Sequence, residues 1–502
     1  MKGAVAAGHP KTAEAAIRLY ELGGNAFDAV LAALAAACVV EPVLTSLGGG
    51  GFLLARREGQ APLLYDFFVQ TPQRRRAEKQ CDFYPVIADF GTAQQEFHIG
   101  AGAIATPGTV RGLVGSHRLL GTLPLREILA PAIEYARDGV EVNALQAYIF
   151  SIVAPIYRAT PAAAALYGSG ALRGEGSVFH QPELAETLAW IAAEGDRPMY
   201  QGELAQRLNR LCKEQGGHLA LDDLKQYRLI QRPALQHLYH GHRVATTPAP
   251  SSGGTLIGYS LAALDGQDLC MDGFGSARHL KTLAHVMAHT NMARQDGLLT
   301  RTEQHSRLMD SYRASIAGHP VNNRGTTHIS TNDSLGNSAS LTLSNGEGSG
   351  LLLPGTGVML NNMLGEEDLN PAGFNRWPCD VRVSSMMAPT LAEDEHRLIT
   401  IGSGGSNRLR TAILQTLSNL IDFGMSPAQA VNAPRMHFER GQLDIEPGFE
   451  EASIQDLLAD FPEHRIWSSH KLFCGGTHTV CWDGRHFTGA GDPRRGGVFL
   501  HT

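Results

Sequence analysis

Apolar residues recur at helical spacing in several long segments of the chain, which predicts amphipathic or buried helices there. The segment PKTAEAAIRLYEL (10–22) follows this pattern, and Gly23-Gly24 ends it. The next segment, AFDAVLAALAAACVV (26–40), is apolar nearly all round, so we expect it to be a buried helix. Residues 109–235 are mostly helical in pattern, and NRLRTAILQTLSNLIDFG (407–424) predicts an amphipathic helix.

Strand-like patterns fill most of the remaining length. Four glycines (48–51) precede a short apolar strand, and residues 326–360 and 380–402 also have strand character. The motif GAGAIA (100–105) matches a dinucleotide fingerprint, but Pro107-Gly108 follows it where a helix would be needed, so we reject that function. Helices and strands together predict an α/β (α+β) protein in which helices cover layered sheets.

One hairpin can be predicted with its register. A strand begins at Thr326, and Ser334-Leu335-Gly336 is typical of a three-residue hairpin loop with glycine at the left-handed position. From Ser338 to Ser344 polar and apolar residues alternate strictly. With the loop centred on Leu335, the numbers of opposing residues sum to about 670 under antiparallel pairing. This register places Ser344 opposite Thr326, and a slip of one residue would destroy that pairing.

Composition and charge narrow the function. The 502-residue chain is 43% apolar and 18% charged, and its net charge is −7. Its densest basic cluster is Arg74–Arg76, which is too small for a nucleic-acid site. The most apolar segment, Ala29–Val40, is too short to span a bilayer, so we expect neither a nucleic-acid partner nor a membrane.

The cysteines and the start of the chain bear on location. Seven scattered cysteines, with no C-x-x-C pair, argue against a disulfide framework or a zinc site. Met1 is followed by KGAVAAGHP, which has no signal-peptide pattern. We therefore expect a cytoplasmic protein without a metal or another cofactor.

The stretch RGTTHISTND (324–333) contains the candidate chemistry. A threonine hydroxyl becomes a nucleophile only when a base takes its proton, and the sequence has no G-x-S-x-G motif or evident histidine–acid pair. If Thr326 were the first residue of a chain, its α-amine, with a pKa near 7.7–8.0, could be that base. This requires cleavage of the Gly325–Thr326 bond by the Thr326 hydroxyl. His328 is then predicted to be structural.

The order of further motifs makes a family resemblance specific. The chain resembles the γ-glutamyltransferase (γ-glutamyltranspeptidase) family of N-terminal-nucleophile hydrolases over nearly its whole length. The matching motifs, besides the opening helices, are LGGGGFLL (47–54), TPGTVRGL (106–113), PSSGGT (250–255), TTHIS (326–330), GTGVMLNN (355–362), MAPT (387–390), GSGGSNR (402–408) and VNAPRMH (431–437).

The resemblance implies a four-layer αββα sandwich and self-cleavage before Thr326. The products would be a large chain, 1–325, and a small catalytic chain, 326–502, which associate as one folded unit. A homodimer of such heterodimers is left open. Ser344 matches the family's second threonine, which is hydrogen-bonded to the nucleophile. The backbone amides of Gly404, Gly405 and Ser406 match the oxyanion hole.

The sequence departs from the family at the glutamyl pocket. Phe68 stands where glutamyl-specific members carry an arginine that binds the substrate α-carboxylate, and the neighbouring motifs supply no replacement. Met363 stands where members carry an acid or amide, and Glu366 lies near the position of an aspartate that holds the α-amine. Ser385 retains one of two paired serines, and Asn345 corresponds to the asparagine after the second threonine.

Three functions therefore stay open. The leading prediction is an autoprocessed amide hydrolase or acyl transferase that acts on a small-molecule amide, with water or an amine as acceptor. It could be a γ-glutamyltransferase of glutathione-like substrates, or a divergent amidohydrolase similar to the oxamate-hydrolysing or cephalosporin-acylating branches of the family. The third alternative is an unprocessed binding protein.

Overall fold

The computed structural model describes residues 2–89, 94–170, 172–296, 325–370 and 373–502. Within these ranges the strands, numbered β1 to β20 in chain order, are Gly3–Ala7, Gly50–Arg56, Leu63–Phe67, Tyr84–Asp89, Gln94–Ile99, Val140–Glu141, Val178–Phe179, Ile230–Pro233, Leu235–Tyr239, His242–Thr246, Thr327–Asp333, Ser338–Ser344, Thr390–Glu393, Leu398–Gly404, Met436–Glu439, Gln442–Ile445, His464–Ile466, Gly476–Trp482, Phe487–Ala490 and Val498–His501. The α-helices, numbered α1 to α16, are Pro10–Glu21, Ala26–Val40, Thr109–Leu120, Leu125–Asp138, Ala144–Ile152, Ala154–Tyr157, Pro161–Tyr167, Pro182–Glu194, Arg197–Tyr200, Glu203–Glu214, Leu221–Gln226, Gly253–Leu264, Ala277–Asp296, Leu409–Ile421, Pro427–Asn432 and Glu451–Leu458.

Two antiparallel sheets form the centre of the molecule. Among the described residues, the larger sheet has seven strands in the order β20-β1-β11-β12-β2-β3-β8. The smaller has six, in the order β19-β18-β14-β13-β10-β9. The predicted hairpin, β11–β12, therefore lies in the middle of the larger sheet.

The register of this hairpin is confirmed. Thr327 pairs with Leu343 and His328 with Thr342, so opposing numbers sum to 670. The Asp333 carboxylate fixes the loop, because its Oδ1 accepts the backbone N–H groups of Leu335 and Asn337, each at 3.0 Å. Side-chain bonds of this kind specify a turn that the strand pattern alone leaves free to slip.

Helices cover the outer face of each sheet. The odd-numbered side chains of the hairpin, such as Ile329 and Leu341, pack in one apolar cluster with α1 and α2. Helix α2 is buried along its whole length, as predicted, and Asn25 and Asp28 form a capping box at its start. On the smaller sheet, Ile399 and Ile401 pack with side chains of α12, α13 and α14. The predicted αββα sandwich is confirmed.

The face that the hairpin turns toward the smaller sheet is polar. His328 is fully buried, with its Nδ1 2.8 Å from Thr342 Oγ1 and its Nε2 2.9 Å from Ser330 Oγ. The Ser330 hydroxyl donates to the His478 carbonyl of the opposite sheet, and Ser340 donates to that of Ile401, both at 2.9 Å. The alternating polar face of the hairpin is thus an interior face, which is stable because most of its groups find partners; Ser338 Oγ and Asn332 Nδ2 are the exceptions.

Two predicted strand regions are shorter than expected. The regular strand ends at Ser344 and only isolated β-bridges follow it, because the next residues include glycines with positive φ that turn the chain away, at positions 346, 348, 350, 355 and 357. In the 380–402 region the regular strands begin only at Thr390. None of the helices in the described part of the chain combines the length and hydrophobicity needed to cross a bilayer.

We expect Gly402→Ala to destabilise the sandwich, because a Cβ at this position of β14 would lie 2.2 Å from the His328 ring. Overpacking of this kind costs about 1–3 kcal/mol, which thermal unfolding would register as a lower melting temperature. Gly174→Ala is the matched control, since no atom lies within 4 Å of its added Cβ. Equal melting temperatures for the two variants would contradict the predicted clash.

Candidate active site

Thr326 lies directly before β11, at one end of the space between the two sheets, and is 4% exposed. It borders a cavity of about 80 Å³. Most of the side chains predicted from the sequence border the same cavity, although they come from distant segments: Phe68, Ser344, Met363, Glu366, Ser385 and Ser406. The fold therefore brings the candidate nucleophile and the candidate substrate-binding residues together.

The hairpin register brings the Ser344 hydroxyl to the cleavage junction. Ser344 Oγ donates to the carbonyl oxygen of Gly325 at 2.7 Å. Ser344 Oγ itself accepts the N–H of Gly346 at 3.1 Å, so its own proton is available for the Gly325 carbonyl. In this uncleaved chain Ser344 thus contacts the carbonyl of the Gly325–Thr326 bond, whereas the resemblance implied a bond to the Thr326 hydroxyl. A donor at that carbonyl favours nucleophilic attack on its carbon.

Gly325 itself is enclosed on several sides. Its N–H donates to Glu347 Oε1 at 2.8 Å. A Cβ on this residue would lie 2.5 Å from the Gly346 carbonyl oxygen and 2.7 Å from that of Val43. Only glycine therefore fits before Thr326 without a shift of the backbone.

The glycine loop predicted as the oxyanion hole packs against Thr326. A Cβ on Gly404 would lie 2.3 Å from the Thr326 carbonyl oxygen, so strand β14 approaches the nucleophile closely. Gly405 and Ser406 have φ values of 121° and 56°. A positive φ is uncommon for serine and marks a specified conformation. The chain then enters a 3-10 turn and helix α14, whose N-terminal end faces the site.

Arg495 is a site residue that sequence reasoning missed. Its Nη1 donates to the Thr326 carbonyl at 3.2 Å. Burial, together with the nearby Arg408 charge, lowers the pKa of Arg495 to about 10, so the guanidinium is protonated at neutral pH. It anchors the backbone of Thr326 beside the glycine loop.

The second threonine of the motif has a separate environment. The Thr327 hydroxyl donates to Glu41 Oε2, and the Thr12 hydroxyl donates to Glu41 Oε1, both at 2.7 Å. Burial raises the pKa of Glu41. Thr327 therefore joins β11 to helices α1 and α2. His328 is structural in its contacts, and burial holds its pKa well below the usual range.

One wall of the cavity is apolar. Phe68 follows β3, is 1% exposed and stacks on Phe52 with ring centroids 5.4 Å apart. It belongs to an apolar cluster that also contains Met363 and Met387. The two positions where the family resemblance leads us to expect polar side chains, 68 and 363, are thus both part of this wall.

The cavity is also lined by charged side chains that no motif of the sequence indicates. Arg294, at the end of α13, borders the cavity with a side chain that is 10% exposed, and it is a cation from outside the motifs quoted above. Its Nη1 donates to Glu439 Oε1 at 2.9 Å, and Asn407 Nδ2 donates to the same oxygen at 2.9 Å. Asp368 also borders the cavity. No local motif marks these residues, because they meet only through the packing of α13 on β15.

The Glu439 carboxylate connects Arg294 with the residues that follow the glycine loop. Burial raises the pKa of Glu439, but its hydrogen bond with His437 and the charge of Arg294 outweigh burial and hold that pKa well below its usual range. The ionised carboxylate thus joins Arg294 of α13 to Asn407, the residue after the candidate oxyanion loop.

The remaining predicted residues have mixed outcomes. Ser385 borders the cavity, and its hydroxyl oxygen accepts the Met387 N–H at 3.1 Å. Asn345 is fully buried, and its Oδ1 would lie 3.1 Å from a Cβ on Gly49, so it packs behind the Gly-rich strand. A substrate contact by Asn345 remains a prediction.

A four-layer αββα sandwich with a threonine at the start of a central strand defines the class of N-terminal-nucleophile hydrolases. The chain belongs to the gamma-glutamyltranspeptidase family, whose model matches residues 12–501.

Similar proteins in this family act on amides. The chain is 31% identical to the acylase ACY 1 proenzyme of Pseudomonas sp. (strain V22), over 96% of this chain and 90% of that protein. It is 29% identical to the glutathione hydrolase proenzyme of Escherichia coli (strain K12), over 98% and 90% of the two chains. The crystal structure of cephalosporin acylase from Bacillus halodurans superposes with a TM-score of 0.84, covering 99% of this chain and 95% of that one at 24% identity, which supports the fold. The protein is therefore an enzyme of the amide hydrolase and acyl transferase class.

Ser344→Ala should slow both cleavage of the chain and turnover while the fold is retained, because it removes one hydrogen bond worth about 0.5–1.5 kcal/mol. Gel analysis would measure cleavage, an amide-hydrolysis assay would measure turnover, and a melting curve would establish that the fold is retained. Ser334→Ala, in the exposed hairpin loop, is the matched control. A Ser344→Ala variant that is cleaved as fast as this control would contradict the role of the hydroxyl.

Proposed function

We propose that the protein cleaves its own Gly325–Thr326 bond and then hydrolyses or transfers the acyl group of a small amide. In the first step Thr326 Oγ attacks the Gly325 carbonyl carbon, an ester forms, and the departing Thr326 nitrogen takes up a proton. Water then hydrolyses the ester, which leaves a carboxylate on Gly325 and a free amine and hydroxyl on Thr326. The contact of Ser344 with this carbonyl supports the proposal.

In turnover the free α-amine of Thr326 is the base that activates its own hydroxyl. The hydroxyl attacks the substrate carbonyl, and the backbone N–H groups of Gly405 and Ser406 stabilise the oxyanion. The amine then returns the proton to the departing amine of the substrate. Water, or an amine acceptor, releases the acyl group from Thr326.

The two pieces would stay associated after cleavage. In the larger sheet, β1 of the large piece lies between β11 and β20 of the small piece, and β12 of the small piece pairs with β2 of the large one. These ladders cross between the pieces, so separation would expose both sheet edges and the apolar cluster beneath them. A dimer of such heterodimers is not addressed by these contacts and stays a prediction.

The apolar wall is the observation that decides the proposed substrate. Phe68 and Met363 offer no partner for a carboxylate or an amine, and an ionic group placed against them would lose its hydration without compensation. We therefore propose that the acyl group is not a γ-glutamyl group bound in the manner of the family. A divergent amide substrate, as the acylase relatives indicate, is favoured.

The charged residues that line the cavity favour a second candidate function, the binding of a γ-glutamyl group. Arg294 is a cation that could bind a carboxylate, and Glu366 and Asp368 are anions that could bind an amine. If these groups bind the substrate, a γ-glutamyl group would fit in an altered orientation. The existing ion pair of Arg294 with Glu439 weighs against this candidate, since a second carboxylate would compete for the same guanidinium.

A cytoplasmic location remains a proposal. All seven cysteines are free, and Cys270 and Cys379 are exposed. Exposed free thiols favour a reducing compartment.

Thr326→Ala should leave one uncleaved chain of 53.9 kDa without activity, because the hydroxyl both cleaves the chain and attacks the substrate. A denaturing gel and mass spectrometry would show it, with Thr327→Ala as the matched control whose hydroxyl binds Glu41 instead. Cleavage between residues 325 and 326 in the Thr326→Ala variant would refute the proposed nucleophile.

Four p-nitroanilides that differ only in charged groups would define the acyl pocket: γ-glutamyl, glutaryl, 4-aminobutyryl and butyryl. We expect the γ-glutamyl compound to have a kcat/KM at least about two orders of magnitude below that of glutamyl-specific relatives, because a charge-assisted contact worth roughly 3 kcal/mol is missing. Phe68→Arg should raise kcat/KM for the γ-glutamyl and glutaryl compounds, and Phe68→Leu is its uncharged control.

Arg294→Gln separates the two candidates on the same substrates. If the apolar wall governs binding, the variant lowers kcat/KM for all four compounds by a similar factor. A selective loss for the γ-glutamyl and glutaryl compounds would favour the second candidate. Efficient glutathione hydrolysis by the unmodified enzyme would overturn the first.

A further inference from the structure

The Gly325 peptide groups are held from both sides by a single turn of the chain. This turn begins at Ser344, the last residue of β12, and continues through residues 345–347 around Gly325. Ser344 donates to its carbonyl at 2.7 Å, and Glu347 Oε1 accepts its N–H at 2.8 Å. The catalytic sequence described above uses Ser344 but gives no role to Glu347.

The shape of this turn directs the Glu347 carboxylate toward Gly325. Gly346 and Gly348 have φ values of 64° and 90°, which glycine adopts without strain. The Glu347 N–H donates to Asn362 Oδ1 at 3.0 Å and fixes the turn on its other side. Glu347 is 2% exposed, so water does not compete for its bond to Gly325. A buried carboxylate that accepts an amide N–H forms a strong, charge-assisted hydrogen bond.

Glycine at the cleavage site makes such restraint necessary. The carbonyls of Val43 and Gly346 leave no room for a Cβ on Gly325, so this position requires glycine. Glycine, however, is the most flexible residue, and attack by Thr326 needs the preceding carbonyl carbon in a fixed orientation. One hydrogen bond at the carbonyl leaves rotation about Gly325 free, whereas a second at its N–H restrains both dihedral angles.

We propose that Glu347 is a positioning residue for self-cleavage, which holds the Gly325 N–H so that the carbonyl carbon faces the Thr326 hydroxyl. This inference rests on the proposed cleavage of the Gly325–Thr326 bond. Glu347 acts through Gly325, and its effect is on the rate at which the single chain becomes two.

The test is a pulse-chase of the full chain in cell-free translation, followed on denaturing gels. We expect Glu347→Ala to slow cleavage about ten- to hundredfold, the size expected for loss of a hydrogen bond to a charged acceptor. Glu347→Gln keeps an oxygen acceptor at the same reach but loses the charge, so it should cleave more slowly than the unmodified chain and at least about threefold faster than Glu347→Ala. Glu347→Asp keeps the charge but is one methylene shorter, so it should be as slow as Glu347→Ala.

Tyr157→Phe is the matched control, because it removes another buried hydrogen bond near the junction, from the Tyr157 hydroxyl to the Pro42 carbonyl, without touching Gly325. It should cleave within about threefold of the unmodified rate. Melting curves in the uncleavable Thr326→Ala background would establish that the Glu347 variants are folded. Rescue by glutamine is the result that a merely structural carboxylate would not produce.

Two results would overturn the inference: unmodified cleavage rates in Glu347→Ala, or a Glu347→Gln variant as slow as Glu347→Ala in a chain that melts normally. Neither of these two results contradicts the proposed function, provided that the unmodified protein is cut between residues 325 and 326. An unmodified protein that is never cut at this bond would instead refute the proposed function itself.

Discussion

The hydrogen bond from the Ser344 hydroxyl to the Gly325 carbonyl is the contact on which the organisation of the site depends. It exists because β11 and β12 pair in one register, with Thr327 opposite Leu343. A shift by one residue would turn the hydroxyl toward the helical layer and bring an apolar side chain to the junction. The Asp333 carboxylate at the far end of the hairpin excludes that shift by holding the loop. A turn about ten residues from the junction thus controls what the junction contacts.

The polar layer between the sheets extends this control to the glycine loop. Each buried hydroxyl or imidazole of the hairpin needs a hydrogen-bond partner, and several partners are backbone carbonyls of the smaller sheet, such as those of His478 and Ile401. Because hydrogen bonds are directional, they restrain the relative position of the two sheets more closely than apolar contacts alone would. Strand β14 brings Gly404 close to the Thr326 carbonyl, and Arg495 donates a hydrogen bond to the same carbonyl. The cleavage junction and the candidate oxyanion loop are therefore built from opposite sheets that share one hydrogen-bonded interface.

Two parts of the site can vary independently. The junction is built mainly by the hairpin, the turn after it and β14, which lie in the small piece of the chain, while Val43 of the large piece encloses Gly325. The acyl pocket is built mainly by segments outside that core: Phe68 after β3, Arg294 at the end of α13, and the loop that carries Met363 and Glu366. Side chains there can change without disturbing the register that positions Thr326. This separation explains how a family can retain one cleavage and acyl-transfer chemistry while its members differ in the amides they bind.

The sequence by itself determined the hairpin and its register, the buried helix α2, the layered class of fold and the candidate nucleophile, because each follows from local periodicity, turn residues or an ordered set of motifs. It could not determine that the polar face of the hairpin is interior, since alternation of polar and apolar residues is equally typical of a solvated strand. Only the tertiary structure decided the partner of the Ser344 hydroxyl, the enclosure of Gly325 by Glu347, and the presence of Arg294 in the pocket. Each of these depends on the path of a loop or on the packing of α13 on β15. A pattern within one segment does not specify how far that segment lies from another segment of the fold.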